Sequence, residues 1–208
     1  MGRNVAKGWE GRGGLLHRSP SLKERIGTAT YGLRTQLTKL ENASSRMQTH
    51  DKSLFEKCVA AQAMRDSSRA AMYANECAEV RKMSKIILRA EMALEQVMLR
   101  LETVEEFGDV VVVMGPVAGV VHSLKTQLAG VIPEVSYELG QIGEDLNKIV
   151  IDVGESTGQA WEIGSSGGEA QKILDDASAV AEQRMKERFP ELPGLVPAAE
   201  GSHEIARK

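Results

Sequence analysis

The chain has 208 residues, of which 42% are apolar, 26% are charged and 4% are aromatic, and this composition suits long helices better than a thick globular core. The net charge of −3 hides an uneven distribution: residues 1–100 carry 18 Lys and Arg against 10 Asp and Glu, whereas residues 101–208 carry 8 against 19. The longest apolar run, 110–121, falls well short of the ~20 residues of a spanning helix, so we expect a protein that does not cross a membrane.

Residues 1–20 are predicted to form a flexible basic arm, because they hold five glycines and several Arg and Lys residues. Trp9, Leu15 and Leu16 lie beside Arg12 and Arg18. This mixture suits insertion at an anionic lipid interface, but the glycines argue against a stable helix there.

The first helix is predicted to begin after Ser21, because Glu24 follows three residues later as in a capping box. Its apolar face recurs at helical spacing in Ile26, Leu33, Leu37 and Leu40. We expect it to end near Gln48–Thr49, and Asp51 to cap a second helix.

The second helix is the strongest signal, because residues 52–106 contain no Gly and no Pro. A heptad seam of alternating spacings three and four runs along it, through Val80, Met83, Ile87, Ala90, Leu94, Val97, Leu101 and Val104. A helix of ~50 residues would be ~75 Å long, so it must pack lengthwise on the first helix, on copies of itself, or on both. Further apolar residues widen the seam beyond what one partner helix covers: Ile86, Leu88, Met92, Met98 and Leu99.

The remaining segments are shorter. We interpret 109–121 as a bent junction, followed by a third helical segment at 122–128, a break at 130–133 and a fourth segment at 134–149. The predicted organisation is all-α, with a long helical hairpin and shorter C-terminal helices. It comprises an arm at 1–20, a helical core at 21–150, a Gly- and Ser-rich linker at 151–168, a regulatory helix at 169–189 and a proline-containing tail at 190–208.

The sequence offers no catalytic constellation. The four histidines are scattered without a second ligand at i+4, and neither a phosphate-binding GxxxxGK nor a GxSxG motif occurs. Cys58 and Cys77 show no metal-ligand spacing and read as apolar helix residues of an intracellular protein. We therefore expect neither an enzyme nor a cofactor.

The block YANECAEVRKMSKIILRAEMALEQVMLRLETV, residues 73–104, closely resembles the second core helix of ESCRT-III proteins, nearest to the archaeal cell-division proteins of the CdvB group. The tail AEQRMKERFPELP also resembles that group. The likeness covers roughly residues 19–150 as a fold pattern, and the winged-helix extension of some CdvB proteins is missing, which implies a shorter paralogue.

The resemblance implies a filament subunit that remodels membranes on the cytoplasmic face of the cell membrane at the division site. A basic hairpin binds the anionic membrane, and an acidic C-terminal portion folds back in the closed form. The implied membrane-binding residues are Trp9, Arg12, Leu15, Leu16, Arg18, Lys23, Arg25 and Arg34. The subunit would stack with copies of itself and with paralogues through Val80, Met83, Ile87, Leu94, Val97 and Leu101. The implied hinge between helices two and three comprises Gly108, Gly115, Pro116 and Gly119.

The tail of such proteins binds the MIT domain of an AAA ATPase, here of the CdvC type, in a helical or an extended mode. The candidate residues are Met185, Phe189, Pro190, Leu192, Pro193 and Leu195. Pro190 cannot donate the helical hydrogen bond and pushes Phe189 toward extended geometry, so we favour the extended mode. A disordered tail with chance apolar residues is the alternative.

The sequence is also compatible with two other functions, nucleic-acid binding and a passive scaffold. The basic front half would suit a coiled-coil protein that binds nucleic acid, but the arm's one aromatic residue offers few stacking platforms, so nucleic acid is an unlikely partner. A passive scaffold without membrane affinity is the other possibility.

Overall fold

The structure is a computed structural model that describes residues 20–107, 110–157 and 167–192. The described residues form five helices and no strand: α1 (Leu22–Ala63), α2 (Ser67–Phe107), α3 (Val110–Leu128), α4 (Pro133–Thr157) and α5 (Gly167–Arg188). The predicted all-α class and long hairpin are confirmed. Within these segments, no helix combines the length and the apolar character that crossing a bilayer requires.

The start of α1 follows the sequence prediction. Glu24 N donates to Ser21 Oγ at 3.3 Å, and Ser21 N donates to Glu24 Oε2 at 2.7 Å, which completes the capping box. The hydrogen bond from the Ser21 backbone lowers the pKa of Glu24. Two backbone donors that the helix leaves unpaired are thereby satisfied.

The hairpin turn lies about fifteen residues later than predicted. Helix α1 continues through Gln48 to Ala63, and the chain reverses at 64–66, where Arg65 adopts a φ of 58°. Asp66 caps α2, because its Oδ1 accepts from Arg69 N at 3.0 Å. The prediction that Asp51 caps a helix is wrong: Asp51 lies inside α1 and is 2% exposed. A polar stretch at 48–53 imitates a helix boundary, while the true turn carries no Gly or Pro.

The heptad seam of α2 lies in the interior of the chain. Val80, Ile87, Leu94, Val97 and Leu101 are between 0% and 3% exposed. Helix α2 packs against α1 along the hairpin and also contacts α3 and α5. The expectation that one partner helix would not suffice is confirmed. The chain itself provides most of that cover in this conformation, although Leu99 remains 63% exposed.

Residues 110–121 are helical rather than a bent junction. Helix α3 buries Met114, Val117, Val121, Leu124 and Leu128 at spacings of three and four, and Pro116 lies within it. The run of valines conceals this periodicity, and packing against α4 and α2 outweighs their strand propensity. The secondary-structure prediction for this segment is wrong.

The C-terminal elements are close to prediction. The break before Pro133 occurs as expected, and Ser136 Oγ donates to Lys125 O at 2.8 Å across the α3–α4 turn. Helix α4 extends to Thr157, seven residues into the segment predicted as linker. Helix α5 ends at Arg188, two residues before Pro190, and it packs on α2 and α3.

Candidate functional site

The candidate site is the α2 face on which α5 and the first tail residues lie. Phe189 is 7% exposed and shares a cluster with Leu88, Ala181 and the partly buried Met185. Leu192, half-buried, packs against a second cluster formed by Leu54, Cys77 and Val80. Residues proposed from the sequence to bind a partner are therefore held against the chain's own hairpin.

Arg81 on α2 connects the two helices of the hairpin to the tail. Its Nε and Nη2 donate to the two carboxylate oxygens of Asp51 at 2.7 and 3.0 Å, and its Nη1 donates to Pro190 O at 2.7 Å. The guanidinium carbon also lies 5.6 Å from the centre of the Phe189 ring, within the range of a cation–π contact. A bidentate pair of this kind fixes the guanidinium in one orientation. The remaining N–H donor of Arg81 is therefore already oriented toward the tail.

Two exposed ion pairs flank the apolar contacts and set the register of α5 on α2. Lys85 Nζ lies 2.8 Å from Glu182 Oε1, and Arg100 Nη1 lies 2.6 Å from Glu169 Oε1. The hydrogen bond from Lys85 lowers the pKa of Glu182. Water screens exposed pairs of this kind, so they orient α5 on α2 more than they stabilise its attachment.

A polar cavity of about 370 Å³ lies between α1, α2 and α5, where Arg184 and Arg188 face Glu91 and Ser44. Glu91 is 3% exposed, and its Oε1 finds no hydrogen-bond partner within the described part of the chain. Burial raises the pKa of Glu91, and the hydrogen bond to Ser44 and the charge of Arg188 oppose that rise. The α5 contact thus encloses an acid that resists ionisation.

The predicted membrane-binding residues are only partly described. Trp9, Arg12, Leu15, Leu16 and Arg18 lie outside the described residues. On α1, Arg25 pairs with Asp152 of α4, Arg34 Nη2 lies 3.2 Å from Glu102 Oε1 of α2, and Lys23 is exposed. The two arginines therefore tie α1 to its neighbours in this conformation.

The predicted polymer interface divides into two groups. Ile87, Leu94, Val97 and Leu101 belong to the main core, and Val80 and Met83 belong to the cluster that Leu192 contacts. Of the predicted hinge, Gly115, Pro116 and Gly119 lie inside α3, and Gly108 lies outside the described residues. In the predicted tail motif, Pro193 and Leu195 also lie outside them.

Sequence reasoning missed Arg81 and misassigned Asp51. The sequence did contain a signal that Asp51 is buried. It falls at helical spacing between Met47, Leu54 and Cys58, on the face of α1 that points to the core. An acid at such a position requires a buried partner. The identity of that partner depends on the hairpin register, which the misplaced turn obscured.

Among the described residues, no group of His, Cys, Asp and Glu could hold a metal ion. The site provides a non-covalent contact. In it, Arg81 lies over the ring of Phe189 and donates a hydrogen bond to the backbone carbonyl of Pro190.

Two proteins of Sulfolobus acidocaldarius are similar to the chain. "Cell division protein B1" is 48% identical over 195 residues, which cover 93% of this chain and 91% of that protein. "Cell division protein B" is 36% identical over 176 residues, which cover 85% of this chain and 67% of that protein. No family model and no solved structure matches the chain.

Proposed function

The chain belongs to the CdvB group of ESCRT-III cell division proteins, and from this premise we propose that it is a filament subunit that remodels the membrane during cell division. The observation that carries the proposal is the 48% identity over nearly the whole chain. The subunit works from the cytoplasmic face of the membrane and is recycled by an AAA ATPase.

The structure corresponds to a closed subunit in this proposal. Helix α5 covers the α2 face between Arg81 and Arg100 through the contacts described above. Its buried residues are mostly small, since Ala170, Ala177 and Ala181 lie beside Ile173 and Leu174. Each fully buried large apolar side chain contributes about 1.5–3 kcal/mol, so α5 can be displaced if another surface covers the same face.

A neighbouring subunit supplies that surface. The face that α5 and the tail leave comprises Val80, Met83 and Leu88, together with the ion-pairing Lys85 and Arg100. It also includes the part of the main core on which Ala170, Ile173, Leu174 and Ala177 of α5 pack. Ile87, Leu94, Val97 and Leu101 remain in the core of each subunit. Of the residues predicted to form the polymer interface, this proposal keeps Val80 and Met83, and it adds Leu88. Copies of this chain and its paralogues are the proposed neighbours.

The tail is the proposed handle for the MIT domain of the ATPase. Helix α5 ends before Pro190, which supports the extended mode with Leu192 and Leu195 as anchors. Phe189 is buried against Leu88. The MIT domain of the ATPase can therefore contact Phe189 only after α5 leaves the hairpin. An opened subunit therefore presents a longer binding segment than a closed one.

The test compares the full chain with a variant lacking 167–208 on anionic and neutral liposomes. We expect the truncated protein to sediment with anionic liposomes and to form filaments visible by electron microscopy, and the full chain to do so less. Neutral liposomes serve as the control. If neither protein sediments or assembles on anionic liposomes, the proposed function is wrong.

A further inference from the structure

The contacts of α5 and the tail follow α2 in one direction, toward the hairpin turn. Glu169, at the start of α5, pairs with Arg100, and Pro190 O accepts a hydrogen bond from Arg81. Leu192, the last described residue, packs on the apolar cluster of Leu54, Cys77 and Val80. The residues that follow Leu192 therefore start on this face of the hairpin, on the path toward its turn.

The same face of the hairpin stays apolar beyond that cluster. On α1, Gln48 lines the polar cavity under α5, and Phe55 and Val59 follow it on one helical row at spacings of seven and four. On α2, Tyr73 lies one turn beyond Cys77 and packs against the clusters on both sides of it. Phe55 and Tyr73 are only partly buried, and Val59 is 44% exposed. We call Phe55, Val59 and Tyr73 the tip strip.

The spacing of the tail matches the position of the tip strip. Prolines at 190, 193 and 197 favour a polyproline II conformation. With three residues per turn and a rise of about 3.1 Å per residue, Leu195 points in the same direction as Leu192 and lies about 9 Å further on. A distance of about 9 Å corresponds to about six residues of an α-helix. Along α1 this step leads from Leu54 to the neighbourhood of Val59, and along α2 it leads from the cluster to Tyr73.

We propose that residues 193–199 lie on the tip strip in the closed subunit, with Leu195 seated between Val59 and Tyr73. Residues 193–199 carry no charge, so an apolar surface can accept the segment without burying an ionised group. The docked Leu192 keeps the segment close to the strip, which raises its effective concentration there.

The consequence of this docking, though not the docking itself, rests on the proposed function. Leu195 is a proposed anchor for the MIT domain of the ATPase. A closed subunit therefore covers Leu195 as well as Phe189, and the ATPase engages the tail fully only in an opened subunit.

Disulfide formation between Val59→Cys and Leu195→Cys tests the docking without a membrane or an ATPase. Under mild oxidation, we expect this pair to form an intramolecular disulfide several-fold faster than the pair of Lys57→Cys and Leu195→Cys. Lys57 is exposed, and its side chain points about 200° around the helix from that of Val59, so the tail reaches it only by random encounter. Leu195→Cys alone controls for linkage to the native Cys58 and Cys77, which are buried.

Two results of this experiment would overturn the proposal. Equal rates for the two pairs would show that the tail has no preferred position on the hairpin. A disulfide that joins two chains instead of one would show that a neighbouring copy supplies the tail.

A second measurement uses titration calorimetry with the isolated MIT domain of the ATPase. Val59→Asp makes the tip strip polar at an exposed position, so it should raise the affinity of the full chain for this domain several-fold. The control Lys57→Asp should leave the affinity unchanged. An affinity that Val59→Asp does not raise would contradict the masking of Leu195. If the domain binds none of the three proteins, the ATPase handle of the proposed function is wrong, and the disulfide rates still decide the docking.

Discussion

At the scale of single residues, Arg81 and Asp51 connect stability to the tail contact. Asp51 is buried, and the side chain of Arg81 is 15% exposed, so removing either leaves a charge in a poorly solvated place. Breaking such a pair costs more than the pair itself contributes, whereas replacing both partners by apolar residues is often neutral.

We predict that Arg81→Gln lowers the free energy of unfolding by about 3–5 kcal/mol, measured by chemical denaturation. The double variant Arg81→Met with Asp51→Leu should recover most of that loss. Arg69→Gln, which breaks the exposed pair with Asp66, is the matched control and should cost less than about 1 kcal/mol. An Arg81→Gln loss no larger than that of the control would show that the pair is solvated.

Glu91 gives the protein a pH dependence of a defined sign. Its pKa is raised in the folded state, mainly by burial, so the folded chain binds this proton more tightly than the unfolded chain. The associated stability is fully present below the ordinary pKa of the carboxyl, and it is lost as pH rises through the raised value. Arg184 and Arg188 from α5, Glu41 from α1 and Glu95 from α2 line the same cavity. The charges of Arg184 and Arg188 lower the pKa of Glu91, and that of Glu41 raises it.

We predict that Glu91→Gln makes the protein more stable at neutral pH and flattens the fall of stability with rising pH. Thermal unfolding across the mildly acidic to neutral range measures both. Glu76→Gln, at an exposed position of α2 outside the cavity, should leave the pH dependence of stability in place. If the stability of Glu91→Gln falls with rising pH as steeply as that of the parent, another group causes the pH dependence.

At the scale of elements, the sequence predicts helices better than it predicts where they turn. The Ser21–Glu24 capping box and the break before Pro133 involve local hydrogen bonds and a missing donor, so three or four residues suffice to predict them. The hairpin turn at 64–66 is set by which long-range partners pack across the hairpin, such as Cys58 and Ala61 with Ala70 and Ala74. No short stretch of sequence contains that information.

Arg65 shows the cost of this turn, because a non-glycine residue with a φ of 58° is disfavoured by about 1–2 kcal/mol. We predict that Arg65→Gly raises the free energy of unfolding by about 1 kcal/mol, measured by denaturant unfolding. The control, Arg69→Gly inside the first turn of α2, should instead lower the free energy of unfolding by up to about 1 kcal/mol. A destabilising Arg65→Gly would mean that the side chain makes contacts that outweigh the backbone strain.

The candidate site was predictable only in part. Phe189, Leu192 and Pro190 stand out in the sequence because apolar residues and prolines alternate after a polar helix. Their docking on Leu88 and Arg81 could not be predicted, since it joins residues about a hundred positions apart. The sequence identifies the seam of α2 as an apolar face that needs a packing partner and assigns its residues to contacts between subunits. Whether α1, α5 or another molecule covers each part of that face depends on the tertiary fold.

At the scale of the whole molecule, we propose that α5 closes the subunit and must leave the hairpin before subunits assemble. The contacts support a reversible closure, because small buried residues and exposed ion pairs make up most of the α5 surface. Helix α2 is covered within one chain except at positions such as Leu99, which is 63% exposed. In the proposed function, assembly would therefore replace an existing contact within the chain.

Locking α5 in place tests this claim most directly. Cysteines introduced at Lys85 and Glu182 can be joined by a short bis-maleimide, while the native Cys58 and Cys77 are buried and burial raises the pKa of the Cys77 thiol to about 11. As a control, the same reagent joins cysteines at Glu79 and Lys82, which lie on one exposed face of α2. With anionic liposomes, we predict that the 85–182 linked protein stays monomeric while the unlinked variant and the control assemble into filaments. Assembly of the linked protein to the same extent as the unlinked one would contradict the account.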